Sequence, residues 1–89
     1  MRIHVHRTGG FAGIERVAEV DTTGRPDAST WHDLAEQALV GGRTGLPGEV
    51  ADGFSYRITV DGRRTVHCAD PRLSEAQRTL ISRVLKEGA

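Results

Sequence analysis

Residues 54–60 alternate strictly between apolar and polar side chains, and this segment constrains the fold more than any other. Large apolar side chains occupy every second position: Phe54, Tyr56, Ile58 and Val60. In an extended chain these side chains share one face. Because an apolar strand face must be covered, the segment predicts a half-buried strand in a layered fold.

The turn that begins at Asp61-Gly62 determines how the next strand pairs. A two-residue loop would pair Ile58 with Thr65 and turn the apolar residues of the next strand to the polar face. A three-residue loop, Asp61-Gly62-Arg63, keeps both apolar faces together, and burial therefore favours it. The predicted pairs are Val60 with Arg64, Ile58 with Val66 and Tyr56 with Cys68.

Two further strands and two helices follow from the same reading of periodicity. Alternation predicts strands over 2–7 and 14–20, joined by a glycine-rich loop. Apolar residues at helical spacing predict a helix that starts at Ser29 or Thr30 and ends at Gly41-Gly42. The last helix has a capping box, with Ser74 as N-cap and Gln77 three residues later, and ends at Gly88.

This order predicts an α+β fold: a four-stranded antiparallel sheet of two hairpins, ordered ββαββα, with both helices on one face. The chain of 89 residues is short enough to predict one domain, 1–89. The predicted core consists of Ile3, Val5, Ile14, Ala18, Val20, Trp31, Leu34, Leu39, Phe54, Tyr56, Ile58, Val60, Val66, Leu80, Ile81, Val84 and Leu85.

Charge and composition argue against several classes of partner. Twelve basic and twelve acidic residues give a formal net charge of zero, which disfavours nucleic acid. No segment approaches the ~20 apolar residues of a membrane span. The single cysteine, Cys68, cannot form an internal disulfide, so a reducing, cytoplasmic location is expected.

Three histidines are candidates for a metal site. His4 and His6 share one face of the first strand, and His67 would complete a zinc-like set if the fourth strand lay beside the first. The simpler interpretation places all three on the polar, solvated face. We therefore expect no metal and no other cofactor, and a small histidine-based metal binder remains only a third interpretation.

The nucleophile and phosphate motifs of enzymes are not matched. Cys68 and His67 are adjacent on a strand and point to opposite faces, so the imidazole cannot act as base for the thiol. The cluster Gly9–Gly13 leads into a strand instead of a helix, and so lacks the helix N-terminus that cradles phosphate. We expect the protein not to be an enzyme.

An aromatic side chain in a glycine-rich turn is the most unusual local feature. Phe11 lies within Gly9-Gly10-Phe11-Ala12-Gly13, where polar residues are usual. It either folds back over the sheet edge or is displayed to a partner. Trp31, in the first turn of the first helix, is expected to cover the core. Leu46-Pro47 reads as an extended connector with an apolar side chain.

The chain resembles the emfourin-like inhibitors of protealysin and other thermolysin-like zinc metalloproteases. The resemblance covers essentially the whole chain and is carried by three segments, 7–14, 52–56 and 71–85. The string Arg7-Thr8-Gly9-Gly10-Phe11-Ala12-Gly13-Ile14 is the most specific. The resemblance implies a small cytoplasmic bacterial protein that binds the active-site cleft of a thermolysin-like zinc metalloprotease and blocks it.

That implication suggests a contact surface. Phe11 would enter the hydrophobic pocket of such a cleft, and the flanking glycines would let the two backbones approach closely. The expected partner-binding residues are Gly9, Gly10, Phe11, Ala12, Gly13, Leu46 and Pro47. Approach of His4 or His6 to the enzyme's zinc ranks lower. The alternative is a non-catalytic interaction or regulatory module that uses a sheet edge.

Overall fold

The strands and helices occur in the predicted order. The computed structural model describes residues 1–9, 15–40, 54–69 and 72–88. The elements are β1 (Arg2–Gly9), β2 (Arg16–Asp21), α1 (Ala28–Val40), β3 (Phe54–Val60), β4 (Arg64–Ala69) and α2 (Glu75–Glu87). The predicted α+β class with order ββαββα is confirmed.

The four strands form one antiparallel sheet in the order β2-β1-β3-β4. In the second hairpin Val60 pairs with Arg64, Ile58 with Val66 and Tyr56 with Cys68, which confirms the three-residue loop. Asp61 and Gly62 in that loop have positive φ angles of 55° and 68°. Aspartate and glycine are among the residues that tolerate this left-handed backbone, so the turn chemistry and the register agree.

β1 joins the two hairpins. Ile3 pairs with Val60 and Val5 with Ile58, so the apolar sides of both hairpins become one continuous face. Both helices cover that face: α2 contacts β1 and β2, α1 contacts β4, and the two helices pack on each other. The opposite face of the sheet carries the polar side chains.

The buried core lies between sheet and helices, and most of the predicted residues are in it. The buried apolar residues are Ile3, Val5, Ala18, Val20, Trp31, Ala35, Ala38, Tyr56, Ile58, Val60, Val66, Cys68, Ala69, Leu80, Ile81 and Val84. Four predicted core residues are only partly buried: Leu34, Leu39, Phe54 and Leu85. Ile14 lies outside the described residues.

Element ends differ from the prediction by one or two residues, for reasons visible in the pairing. β1 continues to Gly9 because Thr8 and Gly9 pair with β3. β2 ends at Asp21 because Asp21 still pairs with Arg2. α1 begins at Ala28, one residue before the predicted range. The predicted closing glycines of α1, Gly41-Gly42, lie outside the described residues.

α2 begins with the predicted capping box, and one of its members also joins the two helices. Ser74 Oγ accepts a hydrogen bond from the Gln77 backbone N–H, and Gln77 Oε1 accepts one from the Ser74 N–H. The other end of the Gln77 amide, Nε2, donates to the Ala38 carbonyl of α1 at 3.0 Å. Gln77 is 1% exposed, so a buried polar side chain links the start of α2 to the end of α1.

At their other ends the helices meet around Trp31, which is fully buried, as expected for a residue that covers the core. Its indole N–H donates to Asp27 Oδ2 at 3.2 Å. The Arg83 guanidinium lies 4.2 Å from the ring centroid and also donates to Asp27. This cation–π and hydrogen-bonded cluster holds the start of α1 against the end of α2.

An ion pair connects α1 to β4. The Arg64 guanidinium donates to both carboxylate oxygens of Glu36. These hydrogen bonds hold the pKa of Glu36 below its usual range.

None of the helices in the described parts of the chain is long and apolar enough to cross a membrane.

Candidate functional site

The connection between β1 and β2 leaves the sheet at Gly9 and returns at Glu15. Gly9 is exposed and has a φ angle of +91°, a conformation that favours glycine. Of the predicted partner-binding residues, Gly9 is the one that the structure describes. Gly10, Phe11, Ala12 and Gly13 lie outside the described residues, as do Leu46 and Pro47.

The residues on either side of this connection, Arg7–Gly9 and Glu15–Arg16, are here called the loop root. Arg7 and Arg16 form the last cross-strand pair of β1 and β2. Beyond it, Thr8 and Gly9 pair with Ser55 and Phe54 of β3. The outgoing strand is therefore held to the second hairpin right up to the glycine.

Arg7 packs on the aromatic side chain at the start of β3. Its guanidinium lies 4.3 Å from the Phe54 ring centroid, within the range of a cation–π contact. Phe54 in turn packs against Tyr56, with ring centroids 6.4 Å apart and the planes tilted by 55°. Arg7 Nε is buried without a hydrogen-bond partner, so the packing on Phe54 is the principal described contact of this guanidinium.

The returning strand is fastened by different contacts. The Arg16 guanidinium donates to the Leu85 carbonyl near the end of α2. On the opposite face, Glu15 Oε2 lies 3.7 Å from His6 Nε2. Like charges directly opposite on neighbouring strands are unfavourable. Arg7 and Arg16 tolerate this arrangement because one packs on a ring and the other on a helix carbonyl.

The three-histidine metal arrangement does not form. β3 lies between β1 and β4, so the condition for it, β4 beside β1, is not met. Arg57 of β3 stands between His6 and His67 in the register. Across the described residues there is no group of three or more potential metal ligands.

Arg57 and His6 form a direct hydrogen bond, with Arg57 Nη2 3.2 Å from His6 Nδ1. A guanidinium can only donate, so His6 Nδ1 accepts and the ring proton lies on Nε2, towards Glu15. The prediction that His4, His6 and His67 lie on the polar face is confirmed by their alternation with Ile3, Val5 and Val66, all buried.

A groove of about 750 Å³ crosses the polar face towards the Asp61 turn. Its β2 side is acidic, with Glu19 and Asp21, and Glu19 is 3.5 Å from Arg2. The backbone N–H of Thr23 donates to Asp21 and lowers the pKa of that carboxyl. The β3 side of the groove contributes Arg57 and Thr59.

Two contacts at or near the loop root were not predicted from the sequence. The stacking of Arg7 on Phe54 and the hydrogen bond from Arg57 to His6 both follow from the pairing of β1 with β3. Each strand could be predicted from its alternation of apolar and polar residues, but the order of the strands in the sheet could not. Once β1 is placed beside β3, both contacts follow from the register.

The fold and the loop root define a class of protein. It is a two-layer α+β structure in which the connection between β1 and β2 starts and ends at strands that are held by β3 and α2. A family model described as Emfourin matches residues 5–85, and the chain belongs to the Emfourin family. No curated protein and no solved structure matches the chain. Emfourin is an inhibitor family, so membership supports a general role as a protease inhibitor and favours a non-enzymatic function.

Proposed function

We propose that this protein inhibits a thermolysin-like zinc metalloprotease by placing the β1–β2 connection, with Phe11 as its anchor, in the active-site cleft. The match to the Emfourin family over residues 5–85 carries the proposal, because it includes the whole of this connection. The proposed setting is the bacterial cytoplasm. Leu46-Pro47 is proposed as a second contact.

The loop root supports this function physically. Tight inhibition requires that little conformational freedom be lost on binding. The outgoing strand is paired with β3 up to Gly9, and the returning strand is fastened to α2 through Arg16. Both ends of the connection are therefore fixed by the folded protein before any partner is present.

The proposal is tested by measuring inhibition constants of the wild type, Phe11→Ala and Val40→Ala against a thermolysin-like protease. Val40 is a matched control, because it is an exposed apolar side chain on α1, 87% exposed, away from the loop root. Loss of an aromatic anchor at the centre of an interface typically costs ~2–4 kcal/mol, which corresponds to about 30- to 1,000-fold weaker inhibition. Val40→Ala is expected to inhibit like the wild type.

Fluorescence of Trp31 checks that each variant is folded, since this tryptophan is buried in the core. Equal inhibition by wild type and Phe11→Ala would keep the function but reject the loop as the inhibitory site. Absence of inhibition by the folded wild type at micromolar concentration, against several such proteases, would overturn the proposed function.

A second function, pairing through a sheet edge, is favoured by one observation. β2 and β4 are the edge strands, and Gly88 at the end of α2 approaches the backbone of Glu19 in β2. Within the described residues, no strand pairs with the outer side of β4. A partner that binds the wild type and Phe11→Ala equally well would support this function.

A further inference from the structure

The polar face of the sheet is unusual in its chemistry over three neighbouring strands. β1, β3 and β4 contain no aspartate or glutamate. The polar side chains that these strands present there, apart from Arg2, which pairs with Glu19, form what we call the donor face: His4, His6, Thr8, Ser55, Arg57, Thr59, Thr65 and His67. Each of these side chains can donate a hydrogen bond.

Arg57 is the charged residue at the centre of the donor face. It is exposed, and the register places it between His6 and His67. Four other described arginines form ion pairs with carboxylates: Arg2, Arg25, Arg64 and Arg83. No ion pair joins Arg57 to a carboxylate among the described residues, and its guanidinium instead hydrogen-bonds to the imidazole of His6.

We propose that the donor face binds carboxylate groups of an aspartate- and glutamate-rich segment of a partner protein, with Arg57 as the central charge. Guanidinium and carboxylate form short, often bidentate hydrogen bonds. The Ser55 hydroxyl, two residues from Arg57 on the same face, supplies a further donor for such a segment. The Thr59 and Thr65 hydroxyls hydrogen-bond to each other, so this pair leaves one donor for the segment.

Charge and composition favour a protein segment over a nucleic acid. The donor face carries no phenylalanine, tyrosine or tryptophan, the large aromatic side chains on which the bases of single strands stack. The chain has no net charge, which gives little attraction for a phosphate backbone. Arg57 suits scattered carboxylates better, and the acidic residues of this face, Glu19 and Asp21, lie on the β2 side of the groove.

The position of the donor face connects it to the proposed inhibitory site. Arg57 lies three residues from Phe54, the residue that pairs with Gly9. At ~3.3 Å per residue, this places Arg57 about 10 Å along the strand from the loop root. The further step, that the acidic segment belongs to the rim of the protease cleft, rests on the proposed function.

The experiment does not require a protease. The full chain, labelled with ¹⁵N, is titrated at low ionic strength with a capped hexaglutamate peptide, with hexaglutamine as the uncharged control, and amide shifts are followed by NMR. Hexaglutamate should shift amides of His6, Arg57 and His67, and hexaglutamine should not. Arg57→Gln should weaken hexaglutamate binding about fivefold.

Arg63→Gln is the matched control, because it removes the same charge from an exposed arginine in the β3–β4 turn. Its binding should change by less than about twofold, the level expected from net charge alone at a distance. Equal weakening by both variants would overturn the proposal, as would shifts confined to other surfaces. Inorganic phosphate that competes with hexaglutamate at equal concentration would overturn the assignment to carboxylates.

A protease arm separates this proposal from the proposed function. In the presence of an inhibited protease, Arg57→Gln should slow association and reduce its dependence on salt, whereas Phe11→Ala should mainly speed dissociation. If no protease is inhibited, the peptide titration still decides the carboxylate site. If a protease is inhibited and Arg57→Gln associates with it as fast as the wild type does, the donor face is not part of that interface. The step to the cleft rim is then overturned.

Discussion

Replacing Gln77 with alanine should be among the more damaging polar substitutions in this protein. Its Nε2 donates to the Ala38 carbonyl at 3.0 Å and its Oε1 accepts from the Ser74 N–H at 2.9 Å. Each such bond contributes ~1 kcal/mol, and removing a partner from a buried polar group adds a desolvation cost. We expect Gln77→Ala to lower the free energy of unfolding by about 2–4 kcal/mol.

The loss expected for Gln77→Ala is large compared with the whole free energy of unfolding of the protein. At ~0.05–0.15 kcal/mol per residue, a chain of 89 residues has a free energy of unfolding of roughly 4–13 kcal/mol. The assay is urea unfolding followed by fluorescence of Trp31, the single tryptophan and fully buried. Burial of the reporter between the helices makes its signal sensitive to their separation.

Gln37→Ala is the control, since it removes the same side chain from an exposed position of α1. It should change the free energy of unfolding by no more than about 0.5 kcal/mol. If Gln77→Ala costs no more than Gln37→Ala, the amide does not bridge the helices in the way described, and the reasoning is wrong.

Two further predictions concern the edges of the fold. Gly88→Ala would place a Cβ atom 2.6 Å from the Val84 carbonyl and 2.8 Å from the Glu19 carbonyl, so urea unfolding should show a loss of about 1–3 kcal/mol; wild-type stability would contradict this packing. Glu36→Gln should remove a pH-dependent contribution to the free energy of unfolding, the one made by the ion pair with Arg64. Because Arg64 lowers the pKa of Glu36 in the folded state, the contribution is present above the ordinary value of 4.5 and lost as the pH falls below it. The difference in free energy of unfolding between wild type and Glu36→Gln should therefore be largest near pH 7 and shrink as the pH falls below 4.5, and a difference that does not change with pH over this range would contradict the ion pair.

The sequence was sufficient for the elements and for one strand register. Of the two- and three-residue loops, the three-residue loop keeps Ile58 and Val66 on the same side, and its pairing is observed. The capping box at Ser74 was equally readable, because it depends on residues three apart. Both features are local, so short-range chemistry is enough to determine them.

The strand order could not be obtained in the same way. Either strand of the first hairpin could have paired with the second hairpin while the apolar faces remained together. The choice of β1 as the neighbour of β3 depends on contacts between residues far apart in sequence. Arg7 on Phe54 and Arg57 on His6 depend on that choice, so these contacts of the candidate site were beyond local reasoning.

The central position of β1 also has a consequence for biosynthesis. β1 is made before its second neighbour, β3, which begins at residue 54. During translation one side of β1 therefore stays without its partner strand while the chain grows through α1, and pairings this distant in sequence form slowly. The nascent first hairpin can acquire its final neighbours only when the second hairpin and α2 have left the ribosome. Until then its unpaired edge can associate with other nascent proteins.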